Sequence, residues 1–71
     1  MARTEREIEL ATRIRDARRR QLEITRHAHQ ANAELYAKGQ AASRADVLTA
    51  EMAMLEAEVA LARAELELER D

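Results

Sequence analysis

The 71-residue chain has no cysteine, no proline, one glycine and a single aromatic residue, Tyr36. Without cysteine, disulfides, thiolate metal sites and a cysteine nucleophile are excluded. Without proline and with almost no glycine, the sequence lacks the residues that interrupt helices. Because 37% of its residues are charged, the composition is typical of long helices or coiled coil. One small domain with a thin core is expected, and such domains usually need oligomerisation, a metal or disulfides for stability.

The sequence also lacks a long apolar run. No segment has the length of apolar sequence that a membrane span requires, and the charged N-terminal sequence has no apolar core of the kind that a signal peptide contains. We therefore expect no membrane span and no signal peptide in this chain. The residues alone do not indicate a compartment.

Charge is divided unevenly along the chain. Residues 1–39 carry nine basic and six acidic side chains (9 − 6 = +3), and residues 40–71 carry three and eight (3 − 8 = −5). Opposite charges favour contact between the two halves.

Two segments show the alternating steps of four and three residues that are typical of coiled-coil seams. The first seam consists of Leu10, Ile14, Ala17, Gln21, Ile24, Ala28, Ala31 and Leu35, and the second of Leu48, Met52, Leu55, Val59, Ala62 and Leu66. If the chain reverses between Ala41 and Ala42, the residue numbers of opposite positions sum to 83 throughout. We predict an all-α fold, an antiparallel helical hairpin in which these seams pack within the chain. Residues before about Thr12 then have no opposite position, so Ile8 and Leu10 are expected to meet another chain or a further part of a longer parent protein.

Local signals set the expected helix ends. Thr4 with Glu7, and Ser43 with Asp46, have the spacing of N-terminal capping boxes, and Gly39 favours the left-handed conformation that ends helices. The predicted single domain covers 1–71, with helix 1 at about 4–38, the turn at 39–43 and helix 2 at about 44–70.

Helix 2 has a second apolar stripe on the side opposite its seam. A lone hairpin buries only one of the two stripes, so we expect the second to bind another copy. The result would be a four-helix bundle or a larger helical assembly, with a dimer as the favoured oligomer. Accordingly, Val59→Asp is expected to abolish folding and Leu61→Asp to dissociate the oligomer. The residues assigned to self-association are Val47, Ala50, Met54, Ala57, Leu61, Ala64 and Leu68.

The stretch from Tyr36 to Glu51 reads Tyr-x-x-Gly, a short turn with Ser43, and Asp-Val-Leu-x-Ala-Glu, and is followed by Leu- and Ala-rich heptads. It resembles the periplasmic helical hairpin of TolC-family outer-membrane efflux channels. It is similar, less closely, to the tip hairpin of the periplasmic adaptor (membrane fusion) proteins. The resemblance implies a hairpin packed laterally in a helical tube in the periplasm, with a turn that docks an efflux adaptor. The docking residues it implies are Gly39, Gln40, Ser43, Arg44 and Asp46.

The sequence also contains candidate residues for a phosphate-binding surface and for a metal site. The arginine belt from Arg13 to Arg26 suits nucleic acid or an anionic surface, but it wraps around the helix and lacks interleaved aromatic residues, so a solvated, ion-paired face is favoured. His27 and His29 diverge on a helix and cannot bind one ion within a chain; a metal-responsive bundle would need both to meet across a symmetry axis.

The favoured function is a non-catalytic coiled-coil structural and interaction module that binds itself. We expect no enzyme activity, cofactor, metal or small-molecule substrate, because no phosphate loop or nucleophile motif occurs and two thin helices form no deep pocket. The alternatives are an adaptor-type hairpin, a stand-alone or designed oligomerising bundle, and a binder of nucleic acid or anionic surfaces through the arginine belt.

Overall fold

The computed structural model describes residues 2–70; Met1 and Asp71, the two ends of the predicted domain, lie outside the described residues. Two helices, α1 (Glu5–Ala37) and α2 (Arg44–Glu69), pack against each other as a hairpin, and the described part of the chain contains no strand. These residues form a rod of 55 × 13 × 11 Å. The all-α hairpin expected from the sequence is confirmed.

Both helices begin directly after the predicted capping residues. Thr4 accepts a hydrogen bond from the backbone N–H of Glu7 (3.1 Å) and donates its hydroxyl to the Glu7 carboxylate, so only half of the expected box forms. At α2 the box is complete: Ser43 Oγ accepts from the Asp46 N–H at 3.1 Å, and the Asp46 carboxylate accepts from the Ser43 N–H at 2.8 Å. These bonds satisfy N–H groups that the first turn of a helix leaves without backbone partners.

The turn between the helices depends on Gly39. Its φ is +68°, the left-handed conformation that glycine adopts without steric cost. The Gly39 N–H donates to the Tyr36 carbonyl (3.0 Å) and the Gln40 N–H donates to the Leu35 carbonyl (2.8 Å). This pair of bonds is a Schellman motif, which satisfies two carbonyls at the end of α1 and turns the chain toward α2.

The core between the helices is thin and made mostly of alanine. The buried residues among those described are Ala11, Leu22, Ala57 and Ala64, and no large side chain is fully buried. Alanine on α2 permits close approach of the two helices. Leu22 is the one large residue of the described chain that is buried, and Met54 and Leu61 of α2 are half-buried.

Several polar side chains of α1 are half-buried in this contact and bond to their own helix. Thr25 Oγ1 donates to the carbonyls of Gln21 and Leu22 (both 3.0 Å), and Asn32 Nδ2 donates to the Ala28 carbonyl (2.9 Å). Because these groups need no partner from α2, a partly polar face of α1 can pack against alanine without leaving them unsatisfied.

The rotation of both helices about their axes differs from the prediction. The α2 stripe assigned to self-association contains the two buried alanines, Ala57 and Ala64, and its other members are half-buried within the single chain. The large residues of the predicted seam, such as Ile24 and Val59, are instead exposed. The prediction of which faces of the two helices meet within the chain was therefore wrong. Two apolar faces on one helix have the same period, so periodicity did not reveal which one α1 covers; the alanine-rich face allows the closer contact.

The antiparallel register is close to the predicted one in the middle of the hairpin. Arg26 Nη2 lies 3.8 Å from Glu58 Oε1. The residue numbers of this pair sum to 84 (26 + 58), whereas the predicted register gives 83. The expectation that residues before Thr12 lack a neighbour on α2 was wrong. Leu10 lines a groove with Ala64, and Arg3 reaches Glu67 with an ion pair of 3.1 Å and a second hydrogen bond to the Glu67 carbonyl. The long Arg3 side chain extends the contact beyond the helix ends.

Candidate interaction site

The most prominent surface feature of the hairpin is its exposed apolar area. Ten large apolar side chains are between 41% and 59% exposed, whereas Leu22 is the only large one that is buried in the described chain. They are Ile8, Leu10, Ile14, Ile24, Tyr36, Leu48, Met52, Leu55, Val59 and Leu66. Monomeric proteins rarely leave such a series of apolar residues in water, so these positions are the candidate site.

Most of these residues fall on two faces. The α1 face consists of Leu10, Ile14, Ala17, Gln21, Ile24, Ala28, Ala31 and Leu35, all exposed except the half-buried Leu35. The α2 face consists of Leu48, Met52, Leu55, Val59, Ala62 and Leu66, all exposed. The sequence identified both sets but paired them inside one chain.

The two faces point to different sides of the hairpin. At about 100° per residue, the α2 face lies roughly 150° around its helix from the residues that contact α1. The α1 face lies roughly 100° from the contact with α2. In agreement, Leu10 and Ile14 border the groove between the helices, whereas Met52 and Val59 line a shallow hollow formed by α2 alone.

The groove beside the α1 face lies near the open end of the hairpin. Its apolar floor is formed by Leu10, Ala11, Ile14 and Ala64, its volume is about 250 Å³, and it is open to solvent. The ion pair between Arg3 and Glu67 borders it. Sequence reasoning missed the role of Arg3, because no local pattern relates residues that lie 64 positions apart.

One border of each face carries charges of opposite sign, whereas the other border of the α2 face carries Glu56 and Arg63. Arg13 and Arg20 follow one edge of the α1 face at heptad spacing, and both are exposed; Arg13 pairs with Glu9 at 3.4 Å. Glu51, Glu58 and Glu65 follow one edge of the α2 face at the same spacing. Glu58 keeps 41% of its side chain exposed although it pairs with Arg26.

The residues assigned to the docking turn lie together at one end of the rod. Gly39, Gln40, Ser43, Arg44 and Asp46 are all exposed. The Ser43 backbone N–H, which donates to the Asp46 carboxylate, and the Ser43 side chain hold the pKa of that carboxyl below its usual value, because both favour the ionised form. Asp46 therefore acts in the local cap and stays charged over most of the pH range.

The arginine belt is partly occupied by ion pairs. Arg15 pairs with Asp16 at 2.8 Å, Arg13 with Glu9, and Arg26 with Glu58, and Arg18 donates to Gln21 at 3.2 Å. These contacts reduce the positive charge that the belt offers to phosphates.

The two histidines occupy different environments. His27 is exposed, whereas His29 is half-buried and its Nδ1 has no hydrogen-bond partner among the described residues. Residues 2–70 contain no group of three or more metal-ligating side chains that converge on one point.

Neither described helix is long and apolar enough to cross a membrane. Comparisons of the chain with protein families, curated proteins and solved structures find no match.

Proposed function

We propose that this chain is a non-catalytic helical interaction module that associates with further copies of itself through the α1 face and the α2 face. The observation that carries the proposal is the contrast between ten exposed large apolar side chains and a core of one leucine and three alanines. Because these residues are already about half covered, burying the rest of each would stabilise an assembly by about 1 kcal/mol.

The surface area of the hairpin supports this proposal. The described structure exposes 5609 Å². A compact monomer of 8.1 kDa would expose about 4,500 Å² by the usual scaling of area with mass. The excess of about 1,100 Å² exceeds the roughly 800 Å² that each partner contributes to a stable protein interface. The exposed area of the hairpin is therefore large enough for a stable interface with a second copy.

We also propose, from the sequence resemblance, that the module corresponds to a periplasmic hairpin of an efflux channel, with the turn as the docking surface for an adaptor protein. The exposed position of Gln40 and Arg44 at the end of the rod supports this assignment. Immobilised adaptor tip hairpins should retain the wild-type chain but release the Gln40→Ala/Arg44→Ala variant. Equal retention of both chains would contradict docking at the turn.

Sedimentation equilibrium at micromolar concentration tests the self-association. We expect a mass that is a multiple of 8.1 kDa and that falls on dilution. The Gln30→Glu variant, altered at an exposed position outside both faces, should keep the wild-type mass. A folded chain that remains at 8.1 kDa at all concentrations would overturn the proposal.

A further inference from the structure

We propose that association is head-to-tail: the α1 face of one copy packs against the α2 face of the next copy. This inference rests on the proposed self-association and specifies which surfaces meet. Each exposed face of one copy is therefore covered by the unlike face of a second copy of this chain.

The directions of the two faces are the first argument. The α1 face borders the interhelical groove, as the positions of Leu10 and Ile14 show, whereas the hollow at Met52 and Val59 belongs to α2 alone. One flat partner surface cannot cover both. A symmetric contact that pairs like faces covers only one face per copy, so covering both faces in this way would need two different interfaces. A contact between unlike faces covers both types with a single kind of interface.

Charge is the second argument. Arg13 and Arg20 border the α1 face, and Glu51, Glu58 and Glu65 border the α2 face. Pairing two α1 faces would bring arginines together, and pairing two α2 faces would bring glutamates together. Packing unlike faces places arginines beside glutamates, in agreement with the charges of +3 in residues 1–39 and −5 in residues 40–71 (9 − 6 and 3 − 8).

The spacing of the two faces is the third argument. Each advances by alternating steps of four and three residues, which is the condition for knobs-into-holes packing between helices. The antiparallel register in which residue numbers sum to 83 matches Leu35 with Leu48 and Ile24 with Val59. Within one chain these faces do not meet, because Ile24, Leu48 and Val59 remain exposed, so the same pairing is available between chains.

A head-to-tail contact leaves one free α1 face and one free α2 face at the ends of any open pair. Association therefore continues beyond two copies, to a closed ring or an open array, unless the second contact closes within the pair. Of the two assemblies expected from the sequence, this contact favours the larger helical assembly over the dimer.

A mixing experiment with two double variants tests the contact. Ile14→Glu/Ile24→Glu disables the α1 face, and Leu55→Glu/Val59→Glu disables the α2 face. All four side chains are more than 40% exposed in the hairpin, so circular dichroism should show unchanged helix content. A charge-matched control is Gln30→Glu/Gln40→Glu, altered at exposed positions outside both faces.

We expect each face variant alone to sediment at 8.1 kDa and an equimolar mixture to form a pair of about twice that mass, since only one intact α1 face and one intact α2 face remain. The control should behave as wild type. If either face variant alone still associates, or if the mixture stays at 8.1 kDa while the wild type is larger, the head-to-tail contact is wrong and self-association stands. A monomeric wild type would overturn both proposals.

Discussion

Gly39 is the residue on which the reversal of the chain depends. Its φ of +68° allows the Gln40 N–H to reach the Leu35 carbonyl and end α1. The sequence predicted this role because no other residue of the chain adopts that conformation without steric cost.

Gly39→Ala should lower the free energy of unfolding by about 1–2 kcal/mol, since an L-residue is strained at this φ. A Cβ at this position would have nothing within 4 Å, so the cost comes from backbone strain and not from a clash. Urea denaturation followed by circular dichroism measures the change. Gln40→Ala, beside it in the turn, is the control. Equal stability of Gly39→Ala and wild type would contradict the strained conformation.

The capping box formed by Ser43 and Asp46 should make the start of α2 sensitive to acid. The pKa of Asp46 is lowered in the folded chain by its hydrogen bonding with Ser43, so the cap contributes stability above the usual pKa of an aspartate and loses it as pH falls through the lower folded pKa. The helix signal of the wild type should therefore decline more steeply in this acid range than that of Asp46→Asn. Identical acid titrations of the two chains would contradict a charged capping box.

At the scale of the elements, the main finding is that α2 is apolar on two sides and uses the alanine-rich side within the chain. Ala57 and Ala64 are buried against α1, while the larger Val59 and Leu66 remain exposed. The heptad pattern predicted both faces correctly. It did not reveal their partners, because each face satisfies the same spacing rule.

The structure therefore reverses the effects that the sequence predicted for Val59→Asp and Leu61→Asp. Leu61 is half-buried on the side of α2 that contacts α1, so Leu61→Asp should lose most of the helix signal, at a cost of about 2 kcal/mol or more. Val59 is 50% exposed, so Val59→Asp should retain a helical hairpin but reduce the mass in sedimentation. Circular dichroism and sedimentation of both variants test this. Greater loss of helix in Val59→Asp would favour the seam first expected from the sequence.

At the scale of the whole molecule, the hairpin is a rod of 55 × 13 × 11 Å whose exposed area of 5609 Å² is large for its mass. Its described ion pairs all include at least one well-exposed side chain, and such pairs contribute little stability each. Charge is therefore expected to influence how copies recognise each other more than how one copy folds.

Salt should weaken the association of unlike faces. Raising ionic strength from about 0.05 M to about 0.5 M shortens the screening length to a few ångströms and reduces attraction between the arginine and glutamate borders. We expect the dissociation constant from sedimentation to rise about threefold to tenfold, with helix content unchanged. Association that strengthens with salt would indicate that like charges face each other across the contact.

The sequence by itself determined the two helices, their ends and the turn, because these depend on local features: Thr4 and Ser43 as caps, Gly39 in the left-handed conformation, and heptad spacing without proline. Only the tertiary structure decided which faces meet within the chain. Rotation of a helix about its axis changes no local hydrogen bond, and it is set by how closely two surfaces approach. The alanines of α2 and the locally bonded polar side chains of α1 provide that close approach, and the larger apolar residues remain on the surface.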